Sequence, residues 1–318
     1  MRKGSLEFWP HRRAKKQMPR FRRFAAVSEE TDLGGFVAFK VGMTHISMID
    51  DSESPSKGSE VSRAVTILEM PRLIVYGLRL YKKGYIYRQA YTEYFDIEAA
   101  KRFGIESKKD VKALKSDSAF EDVMLLVFSD SSNLGFGNKR KMRFEIPVGG
   151  KDKNQKLSHA LSIMGKELKA ADIVKAGEYI DVKSITKGKG WAGVIKRYGV
   201  STQVRKATGK VRHVGTLGPW HPPKVMFSVP HSGHMGYNFR TELNKRILMV
   251  GKASDAARVN VSGGFPNYGL VSNDFLVVDG SIPGPAKRLV RVRKAIRSSG
   301  KIAEPQISYI SVAAKNGA

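Results

Sequence analysis

The apolar positions of the chain fall into short runs separated by glycine, proline and polar turn residues. Some runs alternate between apolar and polar residues, as half-buried β-strands do, and others are continuously apolar, as buried strands are. The pattern predicts two strands, 36–41 and 44–49, on either side of a turn at Gly42. Further strands are predicted at 65–68, 73–81, 85–94, 123–128, 142–147, 179–185, 247–250, 259–261, 269–278, 289–296 and 307–312.

Two segments carry a helical pattern instead. Apolar residues recur at three- and four-residue steps between residues 155 and 171, which places them on one face of a helix. Asp152 or Asn154 is placed to cap its start, and a shorter helix is predicted at 96–103. The apolar face of the longer helix is interpreted as core packing, and its members are Leu157, Leu161, Met164 and Leu168.

Many short strands with turns between them predict a mainly β fold, a barrel or another compact β body with helices in insertions. Two segments lack this pattern. Residues 1–34 are predicted to form an extended basic arm, because prolines and Lys/Arg clusters interrupt any periodicity. Residues 187–241 contain nine glycines and show no convincing strand or helix. They are predicted to form an extension that becomes ordered only against a partner.

The distribution of charge points to the kind of partner. The 318 residues include 56 Lys and Arg against 29 Asp and Glu, a formal net charge of +27. Three segments, 1–24, 183–241 and 284–301, hold 27 of these bases and one acid, so the rest of the chain is nearly neutral. Concentrated like charges repel one another, and a polyanion relieves the repulsion. A nucleic acid is expected, because each neutralised phosphate releases a condensed counterion.

The composition also excludes several classes of protein. Cysteine is absent, which excludes disulfide frameworks, thiolate zinc sites and cysteine nucleophiles. No apolar run approaches the ~18 residues of a membrane-spanning helix. The amino end lacks the apolar stretch of a secretory signal. A soluble cytoplasmic protein is therefore expected.

The aromatic residues favour RNA over other anionic partners. All three tryptophans, Trp9, Trp191 and Trp220, lie in the basic segments. Bases and sugars stack on flat rings and on guanidinium planes. A membrane-binding segment would place rings and bases on opposite faces of a helix, and the glycines here oppose a long helix. A chromatin-like or membrane-surface protein remains an alternative.

Two motifs raise the question of an enzyme. Residues 187–193 contain a GxGxxG pattern. A dinucleotide site would need a helix after the glycines and an acid about twenty residues further on, but no helix is predicted there and no acid lies between the motif and Glu242. A dinucleotide site is therefore rejected, and no cofactor is expected. The second motif is a group of four histidines. With Glu242 it suggests an RNA-modifying metalloenzyme as an alternative function, although the surrounding positive charge opposes a cation. No catalytic residue and no metal site is assigned. The four histidines are His213, His221, His231 and His234.

Several strings resemble the ribosomal protein L3 family of the large subunit. They are KGKGWAGVIKRYG at 187–199, GPWHPPK at 218–224, VPHSGHMGYNFRTELNKR at 229–246 and FVAFKVGMTH at 36–45. The basic residues of 2–13, followed by Pro19, Arg20 and Phe21, are similar to the archaeal and eukaryotic members. The Gly-Pro-Trp-His string and the length look archaeal.

The resemblance implies a six-stranded β-barrel of the translation-protein type over residues 35–318, interrupted by an α+β insertion at about 70–175. It implies a structural, non-catalytic role in the 50S subunit. The protein would bind near the 3′ end of the large-subunit (23S-type) rRNA and nucleate assembly. The extension would run toward the peptidyl transferase centre with Trp220 nearest to it. Ribosomal proteins of the L14 and L24e families would be neighbours, and no membrane or small-molecule substrate is expected.

The residues predicted to bind rRNA are basic, aromatic and histidine side chains of these segments, since cations provide affinity and rings stack on bases. They are Arg2, Lys3, Trp9, His11, Arg12, Arg13, Lys15, Lys16, Arg20, Arg22, Arg23, Lys187, Lys189, Trp191, Lys196, Arg197, Arg205, Lys206, Lys210, Arg212, His213, Trp220, His221, Lys224, His231, His234, Arg240, Lys245, Arg246, Lys287, Arg288, Arg291 and Arg293.

Overall fold

A computed structural model describes residues 5, 9, 11–24, 32–91, 119–131, 133–137, 142–297 and 303–314. The helix predicted at 96–103 lies outside the described residues, as do Arg2 and Lys3. Among the described residues, no helix is long and apolar enough to cross a membrane.

The described chain is built mainly from β-strands. Two helices accompany them, α1 (Lys153–Ile163) and α2 (Val194–Tyr198), with 3₁₀ turns at Ala170–Asp172 and Ala253–Arg258. The strands are β1 (Gly35–Ile49), β2 (Glu60–Glu69), β3 (Arg72–Lys82), β4 (Tyr85–Tyr91), β5 (Asp122–Asp130), β6 (Met142–Pro147), β7 (Glu167–Leu168), β8 (Tyr179–Ile185), β9 (Gly188–Ala192), β10 (Gly233–Gly236), β11 (Phe239–Gly251), β12 (Phe275–Asp279), β13 (Leu289–Lys294) and β14 (Ile307–Ile310).

The larger sheet closes on itself. Its strands follow the order β13-β8-β11-β12-β2-β1-β14, and the first half of β1 also pairs with β13, from Gly35 opposite Arg293 to Phe39 opposite Leu289. Six strands therefore form a continuous cycle of antiparallel pairings. The second half of β1 pairs with β14.

Strand β1 corrects the prediction of two strands joined by a turn at Gly42. It is one strand with a register shift between Lys40 and Gly42 where it pairs with β2. A Cβ at residue 42 would lie 2.7 Å from the ring of Phe265. Glycine is required here by the close approach of that ring, and the bulge bends the strand without ending it.

The second sheet lies between β2 and β8 in the chain. Its order is β4-β3-β5-β6, and β7 also pairs with β3. Helix α1 contacts β5 and β3 and buries Leu157 and Ala160. Asp152 is the N-cap residue of α1 but makes no side-chain capping hydrogen bond.

Helix α1 ends at Ile163, whereas the pattern predicted a helix to residue 171. Met164 is extended, with a ψ of 130°, and Gly165 has a φ of +83°, as at the two central positions of a type II turn, so the chain leaves the helix at this turn. Leu168, which the predicted helical face included, lies instead in β7 opposite Leu73 and is buried there.

One hydrophobic core joins the two sheets, with Phe36, Phe39 and Phe275 among its largest side chains from the closed sheet and Leu125 from the second. A carboxylate is also fully buried in the fold. Glu69 accepts hydrogen bonds from the Tyr268 hydroxyl at 2.6 Å and from the backbone N–H of Asn273 at 2.9 Å. These bonds hold the loop before β12 against β2, since a buried carboxylate needs such donors.

The remaining differences concern strand bounds. The predicted strand 247–250 is the end of a longer β11, whose first half is polar and pairs with β8. Residues 259–261 do not form a strand. The predicted strand 269–278 is shorter at its start, because the strand in the sheet runs from residue 275 to residue 279. The strands at 142–147 and 179–185 have the predicted bounds.

Candidate nucleic-acid interface

The amino-terminal arm lies against the globular body. The backbone N–H of Ala14 donates to the Tyr237 carbonyl at 2.9 Å. The Lys183 ammonium donates to the Arg20 carbonyl at 2.9 Å, and the Asn238 side-chain amide donates to the Arg12 carbonyl at 2.8 Å. The described residues of the arm form no helix or strand, and they are docked on the body rather than projecting from it.

The arm docks through its apolar side chains. Ala14, Pro19 and Phe21 are buried. The Phe21 ring lies 4.5 Å from the Arg293 guanidinium carbon and 5.8 Å from the Lys183 Nζ, within cation–π range. The described cations of the arm are exposed, so docking leaves them available to an anion. The exposed cations are Arg12, Arg13, Lys15, Lys16, Arg20, Arg22 and Arg23.

The start of the arm meets the base of the extension in an aromatic cluster. The ring centroids of Trp9 and Tyr198 are 4.8 Å apart, and His11 lies 5.4 Å from Tyr198. Burial lowers the pKa of His11, and the charge of Arg197 lowers it further. Burial lowers the pKa of His234 in the same way. Both shifts favour the neutral imidazole, and His11 packs against the rings of Trp9 and Tyr198.

The base of the extension is folded, which corrects the prediction of no strand or helix in 187–241. Strands β9 and β10 pair antiparallel, and α2 follows β9 directly. Arg197 in α2 donates to the carbonyls of His234 at 3.0 Å and His231 at 2.8 Å. A Cβ at Gly233 would lie 2.7 Å from this guanidinium. Arg197 thus fastens the two sides of the base together.

The GxGxxG pattern lies in β9 and at the start of α2. Gly188 and Gly190 lie in β9, and Gly193 is the N-cap residue of α2. A helix does follow the glycines, contrary to the prediction, but it has only five residues and is preceded by an antiparallel strand. A dinucleotide fold needs a parallel βαβ unit here, so the rejection of that site stands on the topology as well.

Residues 199–232 form the outer part of the extension, without helix or strand. Trp220 is 88% exposed and Trp191 at its base is 77% exposed. Eight cations of the extension are exposed, and within the described chain none of them is in an ion pair. They are Lys187, Lys189, Lys196, Arg205, Lys206, Lys210, Arg212 and Lys224.

Several predicted RNA-binding arginines instead bind groups of the protein itself. Arg293 donates to the Asp181 carboxylate at 3.0 and 2.8 Å, and Asp181 is only 1% exposed. Arg291 is buried and donates to the Glu145 carbonyl, and burial lowers its pKa to about 10. Arg246 forms a two-bond ion pair with Asp51. Arg291 is buried and Arg246 and Arg293 are half-buried, so all three guanidinium groups are engaged within the protein.

The other predicted residues near the body have intermediate positions. Lys287 is exposed, whereas Arg288 is half-buried with its guanidinium carbon 5.3 Å from the Tyr237 ring. Lys245 is half-buried and lies 4.0 Å from Glu242, and Arg240 is half-buried. The sequence did not reveal that Tyr237 and Asn238 receive the arm, because neither residue type nor spacing signals a docking site.

The four histidines are not gathered into a ligand set. His213, His221 and His231 are exposed, and His234 is half-buried at the base of the extension. Among the described residues, no group of three His, Asp or Glu side chains has the arrangement of a metal site. The alternative of an RNA-modifying metalloenzyme therefore finds no support in the described geometry.

Comparison with known proteins agrees with this description. The family described as Ribosomal protein L3 matches residues 1–103 and 78–317. The chain is 41% identical over 330 aligned positions to the large ribosomal subunit protein uL3 of Methanothermobacter thermautotrophicus, covering 99% of this chain and 98% of the relative. It is 40% identical to the uL3 proteins of Methanobrevibacter smithii and Methanococcus vannielii, covering 99% of this chain and 98% and 97% of those relatives.

Proposed function

Because the chain belongs to the ribosomal protein L3 family, we propose that it is a structural, non-catalytic protein of the large ribosomal subunit in the cytoplasm, where it binds rRNA. The observation that carries the proposal is the set of exposed cations on the arm and the extension. Among the described residues none of these exposed cations is in an ion pair, and the exposed rings of Trp191 and Trp220 lie on the same extension. Exposed, unpaired cations beside exposed rings are what a folded RNA requires.

The globular body, residues 35–318, places these segments. The cycle of six paired strands supports a β-barrel of the translation-protein type, and the second sheet with α1 corresponds to the α+β insertion at about 70–175. The arm, residues 1–34, and the extension, 187–241, meet at Tyr198 and the ends of β9 and β10. The body would therefore present the two basic segments next to each other, because they are in contact where they leave it.

The extension would penetrate folded rRNA, with Trp220 at the point nearest the peptidyl transferase centre. The near-complete exposure of that ring on a segment without helix or strand supports this role. The body would bind near the 3′ end of the large-subunit rRNA, nucleate assembly and lie beside proteins of the L14 and L24e families. RNA shape, rather than base sequence, would determine recognition, since phosphate contacts carry no sequence information.

The proposed contacts are the exposed members of the predicted set. Arg197, Arg246, Arg291 and Arg293 are withdrawn from it, because their guanidinium groups are bound within the protein. They are assigned to holding the segments in place.

Sedimentation tests this function directly. The tagged full chain is expressed in an archaeal host, and large subunits are isolated after a high-salt wash. We expect the chain to remain in the large-subunit fraction and to cross-link to rRNA under ultraviolet light through peptides of 199–232. Its recovery only as free protein, or only in the small-subunit fraction, would contradict the proposal.

A further inference from the structure

The tip of the β3–β4 hairpin is an exposed aromatic and basic surface far along the chain from the three basic segments. Residues 82–88 are seven consecutive exposed residues. Tyr85 is 79% exposed, more than any other large hydrophobic side chain of the described chain outside the extension. Residues 72–91 carry five Lys and Arg and no acid, whereas the body as a whole is nearly neutral, so the hairpin is a local basic surface.

Cations flank the rings of this tip. The Lys82 Nζ lies 5.5 Å from the Tyr87 ring centroid, and the Arg88 guanidinium carbon lies 5.4 Å from it. Lys82 is also the cross-strand partner of Tyr85. These two cations lie over the Tyr87 ring, so the more exposed ring of Tyr85 is the one open to a base. An exposed ring with cations close by suits an unpaired nucleotide, because its base stacks on the ring while the adjacent phosphates meet the cations.

Nearby carboxylates form no ion pair with the ammonium groups of Lys82 and Lys83 among the described residues. Glu121 accepts a hydrogen bond from the Lys83 backbone N–H at 2.9 Å, so it holds the turn. Glu145 is bound by the Arg79 guanidinium and the Tyr81 hydroxyl. Among the described residues, neither Lys82 nor Lys83 has an ion pair within 4.0 Å.

The turn holds its lysine in a conformation that the residue does not favour. Lys83 has a φ of +49° and Gly84 a φ of +77°, as in the tight two-residue turns of hairpins. Asn, Asp or Gly is preferred at the first of these positions, so a lysine there is held in a backbone conformation that it rarely adopts.

We propose that the hairpin tip is a separate RNA-binding site, in which Tyr85 stacks on an unpaired nucleotide and Lys82 and Lys83 bind the adjacent phosphates. The site rests on the proposed rRNA-binding function, but it places a contact in the insertion, where the charge distribution predicts none. The edge strand β4 could instead accept a strand of a protein. RNA is favoured because the exposed rings and cations are concentrated at the tip, whereas a strand partner would use the full length of β4.

The test measures binding of the full chain to a purified archaeal large-subunit rRNA transcript by filter retention. Tyr85→Ala is expected to weaken binding about 5- to 100-fold, the range for loss of one base stack. The double variant Lys82→Gln, Lys83→Gln is expected to lower the slope of log K against log salt by about 1.4, for two single-stranded phosphate contacts. The matched controls are Tyr309→Ala, an exposed tyrosine elsewhere, and the double variant Lys57→Gln, Lys252→Gln. The controls should change the binding constant K by less than about twofold and should leave the salt slope unchanged.

The outcomes separate this site from the general function. If the wild-type chain binds with steep salt dependence and Trp220→Ala weakens binding, but the hairpin variants behave like the controls, the hairpin site is wrong and the function is kept. That result would leave the hairpin to a protein partner. If the wild-type chain does not bind the transcript at all, the function and the site both fail. Circular dichroism and thermal melting of each variant must match the wild type, as exposed positions predict.

Discussion

Replacing Arg293 with methionine separates the structural cations from the RNA-binding ones. Arg293 makes two hydrogen bonds to Asp181 and a cation–π contact with Phe21 at 4.5 Å. It also donates to the Arg23 carbonyl of the arm. Methionine keeps much of the side-chain volume and removes all three polar or charged contacts.

The expected loss is large because the partner carboxylate is buried. Asp181 is 1% exposed and would keep only the hydrogen bond from the Asn244 backbone N–H at 3.1 Å, besides any contact that water could make. Removing one partner of a buried ion pair typically costs about 3–5 kcal/mol. The cation–π contact adds about 0.5–2 kcal/mol. We expect a loss of about 3–5 kcal/mol in the free energy of unfolding, since the remaining hydrogen bond offsets part of the total.

Guanidinium denaturation of the full chain measures this loss. The double variant Arg293→Met, Asp181→Leu is expected to recover most of it, because an apolar pair leaves no buried charge unpaired. Lys189→Met, at an exposed position of β9, should change the free energy of unfolding by less than about 0.5 kcal/mol. A loss below about 1 kcal/mol for Arg293→Met would refute the structural role and return Arg293 to the RNA-binding set.

Three further outcomes are expected. Trp220→Ala should weaken rRNA binding by roughly 5- to 100-fold, measured by filter retention. The thermal melting temperature should not change, because the Trp220 ring is almost fully exposed to solvent. Amide exchange in 199–232 should be fast in the isolated protein and slow on rRNA, whereas β9 and β10 should be protected in both; protection of 199–232 in the isolated protein would contradict folding on binding. Hydrogen bonds from Ser56, Ser52 and Ser54 lower the pKa of Asp50. The loop that these residues form should therefore be most stable at a pH above the ordinary pKa of a carboxyl group, and its amides should lose protection as the pH falls below about 4. Asp50→Asn should abolish that pH dependence.

Strands whose pattern is complete within a few residues could be predicted well. Residues 142–147 and 179–185 have the predicted bounds because their apolar residues alternate or run continuously between polar ends. The first half of β11 could not be found in this way. It is polar and half-exposed, and its pairing with β8 is made at a separation of more than fifty residues.

The helix and the first strand show how single glycines change a pattern. The apolar spacing of Leu157 to Leu168 continues past Gly165, but the chain leaves the helix at the turn formed by Met164 and that glycine. Gly42 resembled a turn, yet the strand continues through it because Phe265 approaches closely. In each case the deciding conformation or neighbour is set by the tertiary structure.

The candidate interface was predictable in its exposed part only. Charge and tryptophan content identified the extension, and its outer cations and rings are exposed. Composition could not separate Arg291 and Arg293 from them, because their partners, the Glu145 carbonyl and the Asp181 carboxylate, lie more than one hundred residues away. The docking of Phe21 depends on side chains equally distant in the chain.

The decisive measurement is the salt dependence of binding to a large-subunit rRNA transcript. We propose that exposed cations of the arm and extension bind phosphates. With six to ten such contacts, the affinity should fall about 10³- to 10⁵-fold between 50 and 200 mM salt. An affinity that stays constant over this range would contradict the account.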